Sequence, residues 1–202
     1  MAYFDHSAAA PPDPAILTRY FEAMQTSWYN PASIYPEGRE AAKLIESCQE
    51  RLNATLAERA VPGMSGSAAT WLLTSGASES IVTAIRGTLH QRGGKRSWTI
   101  GFAGDHQATL QTLKDLKQEE WPTTVLPINS KGEPDIDALE TELQTRRKAG
   151  DVVRLVTILQ VNNETGAVAD IEAIHELRQQ YAPEALLHLD LVQMPGRHPL
   201  DL

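Results

Sequence analysis

The sequence predicts an α/β fold: a mostly parallel sheet with helices on both faces, preceded by an N-terminal helical segment. Two observations lead there. From about residue 70 onward, short apolar runs alternate with stretches of helical periodicity, and strands spaced by crossover helices pair in parallel. The last of those runs, Leu186-Leu187-His188-Leu189-Asp190, reads as a short buried strand that carries one carboxylate to its C-terminal tip. A chain of 202 residues is long enough for one sizeable core.

The first helix is signalled by Asp13 as cap and Pro14 in the first turn, with Ile16, Leu17, Tyr20, Phe21 and Met24 on one apolar face. A polar loop with Asn30-Pro-Ala-Ser33 follows. The spacing then predicts a second helix from about Arg39 to Ala60, with Ala41, Leu44, Ile45, Cys48, Leu52 and Leu56 on its buried side. Cys48 is accordingly expected in the core and not as a nucleophile. Residues 61–69, rich in Gly and Ser, read as a loop. Predicted strands are Thr70–Thr74, Trp98–Phe102, Thr124–Leu126, Val152–Val161 and Leu186–Asp190. Predicted helices between them are Glu79–His90, Gln107–Lys117, Ile136–Lys148 and Ile171–Gln180. Residues 1–60 thus form an N-terminal segment with two helices, and the chain from 70 onward reads as α/β.

Eighteen basic against twenty-six acidic side chains leave a net charge of −8, which disfavours nucleic acid and anionic membrane as partners. The short basic clusters Arg146-Arg147-Lys148 and Lys95-Arg96 read as solvated helix ends or loops. No apolar stretch approaches the ~20 residues that span a bilayer, and the first residues read as no secretory signal. A single cysteine excludes an intramolecular disulfide framework and suits a reducing cytoplasm.

Ligands of open parallel sheets bind beyond the C-terminal ends of the strands. Four chemistry-bearing segments fall there. Thr74-Ser-Gly-Ala-Ser-Glu-Ser80 joins a strand to a helix, where free N–H groups and the helix dipole can cradle phosphate and Ser78 adds a hydroxyl. It lacks the lysine of a P-loop and the glycine spacing of a dinucleotide fingerprint, so the phosphate is not expected to be a nucleotide's. His106 follows a strand, and the other histidines show no metal-ligand spacing, so no metal site is expected. Asn162-Asn163-Glu164-Thr165-Gly166 is either a plain turn or the donor of a side-chain amide to a ligand. Asp190 is costly on an interior strand unless a capping amide, an Arg or a protonated ligand nitrogen meets it.

Taken together, Tyr3-Phe-Asp-His-Ser-Ala-Ala-Ala-Pro11, Asn30-Pro-Ala-Ser33, Thr74–Ser80, His106, Val161–Gly166 and His188-Leu-Asp-Leu-Val-Gln193 stand in the order and spacing of cysteine desulfurases. The chain resembles the N-terminal half of these class V aminotransferase-like, fold-type-I enzymes. The resemblance implies pyridoxal 5'-phosphate as cofactor and an incomplete large domain of the fold-type-I transferase fold over 70–202. Residue by residue, it implies phosphate-loop roles for Ala77 and Ser78 and a ring-stacking, proton-exchanging role for His106. Asn163 resembles the asparagine near the phenolic oxygen and substrate, Asp190 the partner of the pyridine nitrogen, and Gln193 the glutamine at the phenolic oxygen. Gly196–Asp201 resembles the segment that follows in the family. The sequence departs from the family at Ala9 and Ala10, where hydroxyls are common, and at Leu191 and Val192, where small residues are.

The implied activity is removal of sulfur from L-cysteine, giving alanine and an enzyme-bound persulfide, in the context of iron–sulfur cluster assembly. The implied partners are L-cysteine or a similar amino acid, a second copy or a complementing C-terminal half, and a sulfur-acceptor protein. The family's Schiff-base lysine, persulfide cysteine and substrate-carboxylate arginine correspond to positions beyond residue 202, so this stretch alone is not expected to catalyse. Selenocysteine lyases and class V aminotransferases share the visible motifs, and a non-catalytic remnant or one half of a split enzyme is the other alternative.

Overall fold

The protein is described by a computed structural model over residues 2–57, 70–92 and 97–195. These residues fall into two compact units, one reaching Leu73 and the other starting at Thr74.

In the first unit, α1 (Pro14–Thr26) starts where expected. The Asp13 carboxylate accepts the Ala15 N–H at 2.7 Å, and Pro14 fills a first-turn position that needs no N–H. None of its residues is buried. Helix α2 (Pro36–Ala57) begins three residues before the predicted Arg39. Its predicted buried stripe is corrected: Ala41 is buried, but Leu44, Ile45 and Leu52 are exposed, and so is Cys48. Helical spacing gathers apolar side chains on one face, but burial also needs an element to cover it, and among the described residues none does. The expected strand Thr70–Thr74 does not form. A strand is completed by a neighbour's hydrogen bonds, and no described residue pairs with this one; Leu72 and Leu73 are exposed. The loop expected over 61–69 lies outside the described residues, as do Lys95-Arg96 and Gly196–Asp201.

The second unit follows the predicted alternation. Its elements are α3 (Ala77–Arg92), β1 (Ser97–Phe102), α4 (Gln107–Gln118), β2 (Thr123–Leu126), α5 (Ile136–Ala149), β3 (Val152–Leu159), α6 (Ile171–Tyr181) and β4 (Leu186–Asp190). The strands form one parallel sheet in the order β2-β1-β3-β4. On one face Leu155 packs with Ile81, Ile85 and Leu89 of α3 and Leu113 and Leu116 of α4. On the other, Val156 and Ile158 pack with Leu139 and Leu143 of α5 and Ile174 of α6. Strand β3 ends two residues short of the predicted Val161 because the chain turns back there. Val161 pairs with Val168 in an antiparallel bridge, and Ala169 donates to the Gln160 carbonyl at 2.8 Å.

Helix starts are fixed by carboxylates at the cap. Asp135 accepts from Ala138 N–H and Asp170 from Ala173 N–H, each at 3.0 Å. Gly150, in the left-handed region at φ 73°, ends α5, a conformation a side chain would strain. Arg146 is not a solvated helix-end charge: its guanidinium lies 3.8 Å from the Trp98 ring centroid and pairs with Asp151 at 3.0 Å. No helix among the described residues is long and apolar enough to cross a membrane.

This topology positions the site. Strand β1 leads through α4 to β2 on one side, whereas β3 leads through α6 to β4 on the other. The chain therefore parts in opposite directions between β1 and β3, and their carboxyl ends open a crevice.

Candidate functional site

Helix α3 feeds β1, so it runs against the strand direction and presents its N-terminus at the carboxyl edge of the sheet. Ala77 and Ser78 are its first two residues and both are exposed. First-turn N–H groups have no acceptor within a helix, and the dipole adds partial positive charge. The preceding turn is fastened locally. The Thr74 hydroxyl lies 2.7 Å from the Ser80 hydroxyl, and the Glu79 carboxylate accepts the Ser75 N–H at 2.7 Å. The Ser75 hydroxyl also donates to Glu79, and this hydrogen bond is the main reason the carboxyl is held below its ordinary range.

His106 caps α4 at the end of the β1 turn. Its Nδ1 accepts the Ala108 N–H at 3.1 Å, so in this arrangement the ring proton sits on Nε2. The imidazole is exposed at the same edge.

The two adjacent asparagines after β3, indistinguishable in the sequence, separate in the structure. Asn162 donates to the Gly104 carbonyl at 2.9 Å, and its Oδ1 accepts from Glu164 N–H, Thr165 N–H and the Thr165 hydroxyl. Its oxygen is fully engaged within the turn, and one amide N–H ties that turn to the end of β1. Asn163 is half-buried, and none of the described side-chain hydrogen bonds uses it. Its amide is the one available to a ligand.

Asp190 closes β4, 5% exposed. One oxygen accepts the Val192 N–H at 3.1 Å; the other makes no hydrogen bond to any described residue. The second oxygen keeps contact with solvent at the crevice, where a cationic donor can meet it. Two residues earlier on the same strand face, His188 lies 2.8 Å from the Thr157 hydroxyl. Burial pushes the His188 imidazole below its ordinary value, with the Asp190 charge opposing. Gln193 follows in the next turn and is half-buried.

Ala77, Ser78, His106, Asn163, Asp190 and Gln193 thus all lie at the carboxyl edge, on the loops and helix starts that the parallel sheet gathers there. One residue that the sequence offered only as the neighbour of His106, with no role of its own, stands among them. Asp105 is 6% exposed, and its two oxygens accept the N–H groups of Phe102 (2.9 Å) and Leu159 (2.8 Å). Burial, and to a lesser degree the Asp190 charge, push its carboxyl up to about 7, against the two hydrogen bonds. Its one visible signal was adjacency to His106; its partner 54 positions downstream was not legible. No group of three or more metal-ligating side chains occurs among the described residues.

Comparisons with known proteins agree with this architecture. A cysteine desulfurase IscS of Vibrio atlanticus is 32% identical over 207 residues, covering 99% of this chain but 46% of the relative. A putative cysteine desulfurase, IscS 1, of Bacillus subtilis is 30% identical over 202 residues, covering 99% and 48%. The solved structure of a NifS-like protein superposes with a TM-score of 0.85 at 25% identity, covering 99% of this chain and 51% of that one. DndA of Streptomyces lividans gives 0.72 at 26% identity, covering 99% and 52%. The chain spans about half the length of the relatives it matches. The profile of aminotransferase class V matches residues 2–202, and the chain belongs to that family.

Proposed function

We propose that this chain is the cofactor-cradling half of a cysteine desulfurase-type protein, holding pyridoxal 5'-phosphate at the carboxyl edge of the sheet to take sulfur from L-cysteine. The observation that carries the reading is Asp190: a buried carboxylate at a strand tip with one oxygen free of any described donor. A pyridinium nitrogen is a donor of the right charge, and a buried carboxylate beside it keeps its proton in place. The likeness to proteins named cysteine desulfurase supports the substrate.

When bound, the cofactor supplies an electron sink for bond cleavage at the amino acid. The chain's own residues do the rest of what this half can do. The N–H groups of Ala77 and Ser78 and the Ser78 hydroxyl bind the phosphate, the imidazole of His106 covers the ring and exchanges protons at Nε2, and the Asn163 and Gln193 amides orient the phenolic oxygen. We assign residues 70–202 to this cofactor-binding domain and 1–60 to a helical segment that precedes it. The lysine, the sulfur-accepting cysteine and the carboxylate-binding arginine belong to the part of the relatives' length that these residues do not span, the protein works as a dimer in the cytoplasm, and its sulfur passes to an acceptor protein.

Titration of the chain with pyridoxal 5'-phosphate, followed by visible circular dichroism of the bound ring, tests the reading. Asp190→Asn keeps the shape and removes the charge, and is expected to weaken binding about tenfold or more, since hydrogen bonds to charged groups contribute roughly 1.5–3 kcal/mol. Ser78→Ala removes a hydroxyl that contributes about 1 kcal/mol and should weaken binding by a smaller factor. Equal affinity of wild type and Asp190→Asn would overturn the assignment.

A further inference from the structure

We infer that Asp105 is a positioning residue for this site: its carboxylate clamps the carboxyl ends of β1 and β3 across the crevice and so fixes the spacing between the His106 ring and Asp190. The inference rests on the cofactor reading above. The ladder between β1 and β3 shifts register once, between Trp98 and Thr99, and then runs to Ile100 opposite Val156. Beyond that point the inward N–H groups of Phe102 and Leu159 are met by the two oxygens of one side chain, Asp105, at 2.9 and 2.8 Å. The crevice would otherwise leave two main-chain donors buried without acceptors, a state native structures avoid.

The clamp reaches both groups that face the ring. His106 is the next residue in the chain and caps α4 from there. Leu159 is the register partner of Asp190 on β4, and Gln160 N–H donates to the Asp190 carbonyl at 3.1 Å. Asp105 therefore joins the element carrying His106 to the strand against which Asp190 is aligned. Asn162, through its bond to the Gly104 carbonyl, is a second tie across the same crevice. Gly101 leaves the room the carboxylate needs: a methyl group there would come within 3.0 Å of Asp105 Oδ2 and 2.6 Å of Leu113 Cδ1.

An interior strut that only stabilised the fold would change melting behaviour and leave ligand affinity alone. A strut that sets spacing changes both, and its effect on affinity survives in variants that remain folded. Pyridoxamine 5'-phosphate is the appropriate probe, because it needs no lysine to bind. The variants are Asp105→Asn, which keeps one acceptor and turns the other into a donor facing an N–H, and Asp105→Glu, which keeps both acceptors on a longer stem. Affinity is read by calorimetry, and the fold by amide exchange.

Asp105→Asn is expected to bind the probe roughly tenfold more weakly, the scale on which supporting groups act on those they orient. Exchange protection should be lost at the Phe102 and Leu159 amides while the α5 and α6 amides keep theirs. Asp105→Glu should recover part of the affinity. Wild-type affinity in a folded Asp105→Asn overturns the inference, provided Asp190→Asn weakens binding. If neither substitution changes binding, the cofactor reading itself fails. Should wild type take up no probe, the exchange data decide: unchanged protection at Phe102 and Leu159 in Asp105→Asn overturns the clamp, and selective loss at those amides upholds it.

Discussion

The unit from Thr74 onward and the unit before it differ in how apolar pattern relates to burial. In the later unit most apolar side chains at helical or strand spacing are buried: Ile85, Ile100, Leu139, Val156 and Ile174 have no exposed surface, and the exceptions Val125, Val152 and Leu186 lie on strands β2, β3 and β4. In the earlier unit, equally regular apolar faces stay open: Phe21 of α1 is 57% exposed, and Leu52 of α2 is 46% exposed. Both helices are as amphipathic as those on the sheet, and α1 carries the same kind of carboxylate cap. The difference is the partner, since a sheet offers each helix a flat apolar face and two helices alone do not. Periodicity reports which residues are meant for burial; it does not report what covers them.

The largest expected contrast follows directly. Leu139→Ala removes a buried side chain from the packed face under α5 and should lower unfolding stability by about 2–5 kcal/mol. Phe21→Ala deletes a larger side chain from α1 and should change it by no more than about 0.5 kcal/mol, as exposed substitutions do. Urea unfolding of both variants checks this. A comparable loss in Phe21→Ala would show that α1 is covered in solution, and the comparison between the units would have to be redrawn.

The next contrast is in pH. Asp105 titrates at about 7 in the folded protein against an ordinary 3.8, because burial disfavours its charged form. The folded state thus holds this proton more tightly than the unfolded chain. The resulting stabilisation is complete below 3.8 and is lost as pH rises through about 7, an effect on the order of a few kcal/mol. His188 acts in the opposite direction: its folded value lies below 6.5, so its neutral form favours folding above that pH and opposes it below. Comparing wild type with Asp105→Asn isolates the first effect. Melting temperature should fall less between pH 4 and 8 in the variant, and identical pH profiles would refute the shift. Nothing of this size is expected in the first unit, where the Lys43–Glu40 pair lies in solvent.

Gly101→Ala is expected to cost about 1–3 kcal/mol by overpacking, with the loss concentrated around Asp105 and Leu113. Thermal unfolding measures the total, and loss of protection at the Leu159 amide locates it.

How much of this was legible in the sequence depends on the range of the interaction. Strand β4 spans the predicted Leu186–Asp190, and α5 and α6 start at the predicted Ile136 and Ile171, because caps and periodicity are local signals. The placing of His106, Asn163, Asp190 and Gln193 at one sheet edge followed from alternation, since a parallel sheet sends every such loop to the same side; Ser78 reaches that edge because α3 runs against β1, not because it follows the expected strand Thr70–Thr74. What was missed is not local. Strand formation at Thr70–Thr74 depends on a neighbour. The roles of Asn162 and Asp105 depend on partners 58 and 54 positions away, and no periodicity encodes those.

The smallest expected effect tests the corrected residue, Cys48. Its place on an apolar stripe predicted a core thiol, which would resist alkylation until the protein opened. The structure exposes it on α2 instead. An exposed thiol reacts under native conditions with no opening step. Labelling with iodoacetamide in buffer and in denaturant should therefore proceed at closely similar rates. Cys48→Ser should change stability by no more than about 0.5 kcal/mol, because an exposed sulfur leaves no cavity behind. Strong protection in buffer would mean that the α2 face is covered in solution, and the uncovered faces of the first unit would then be the docking side of a neighbouring chain.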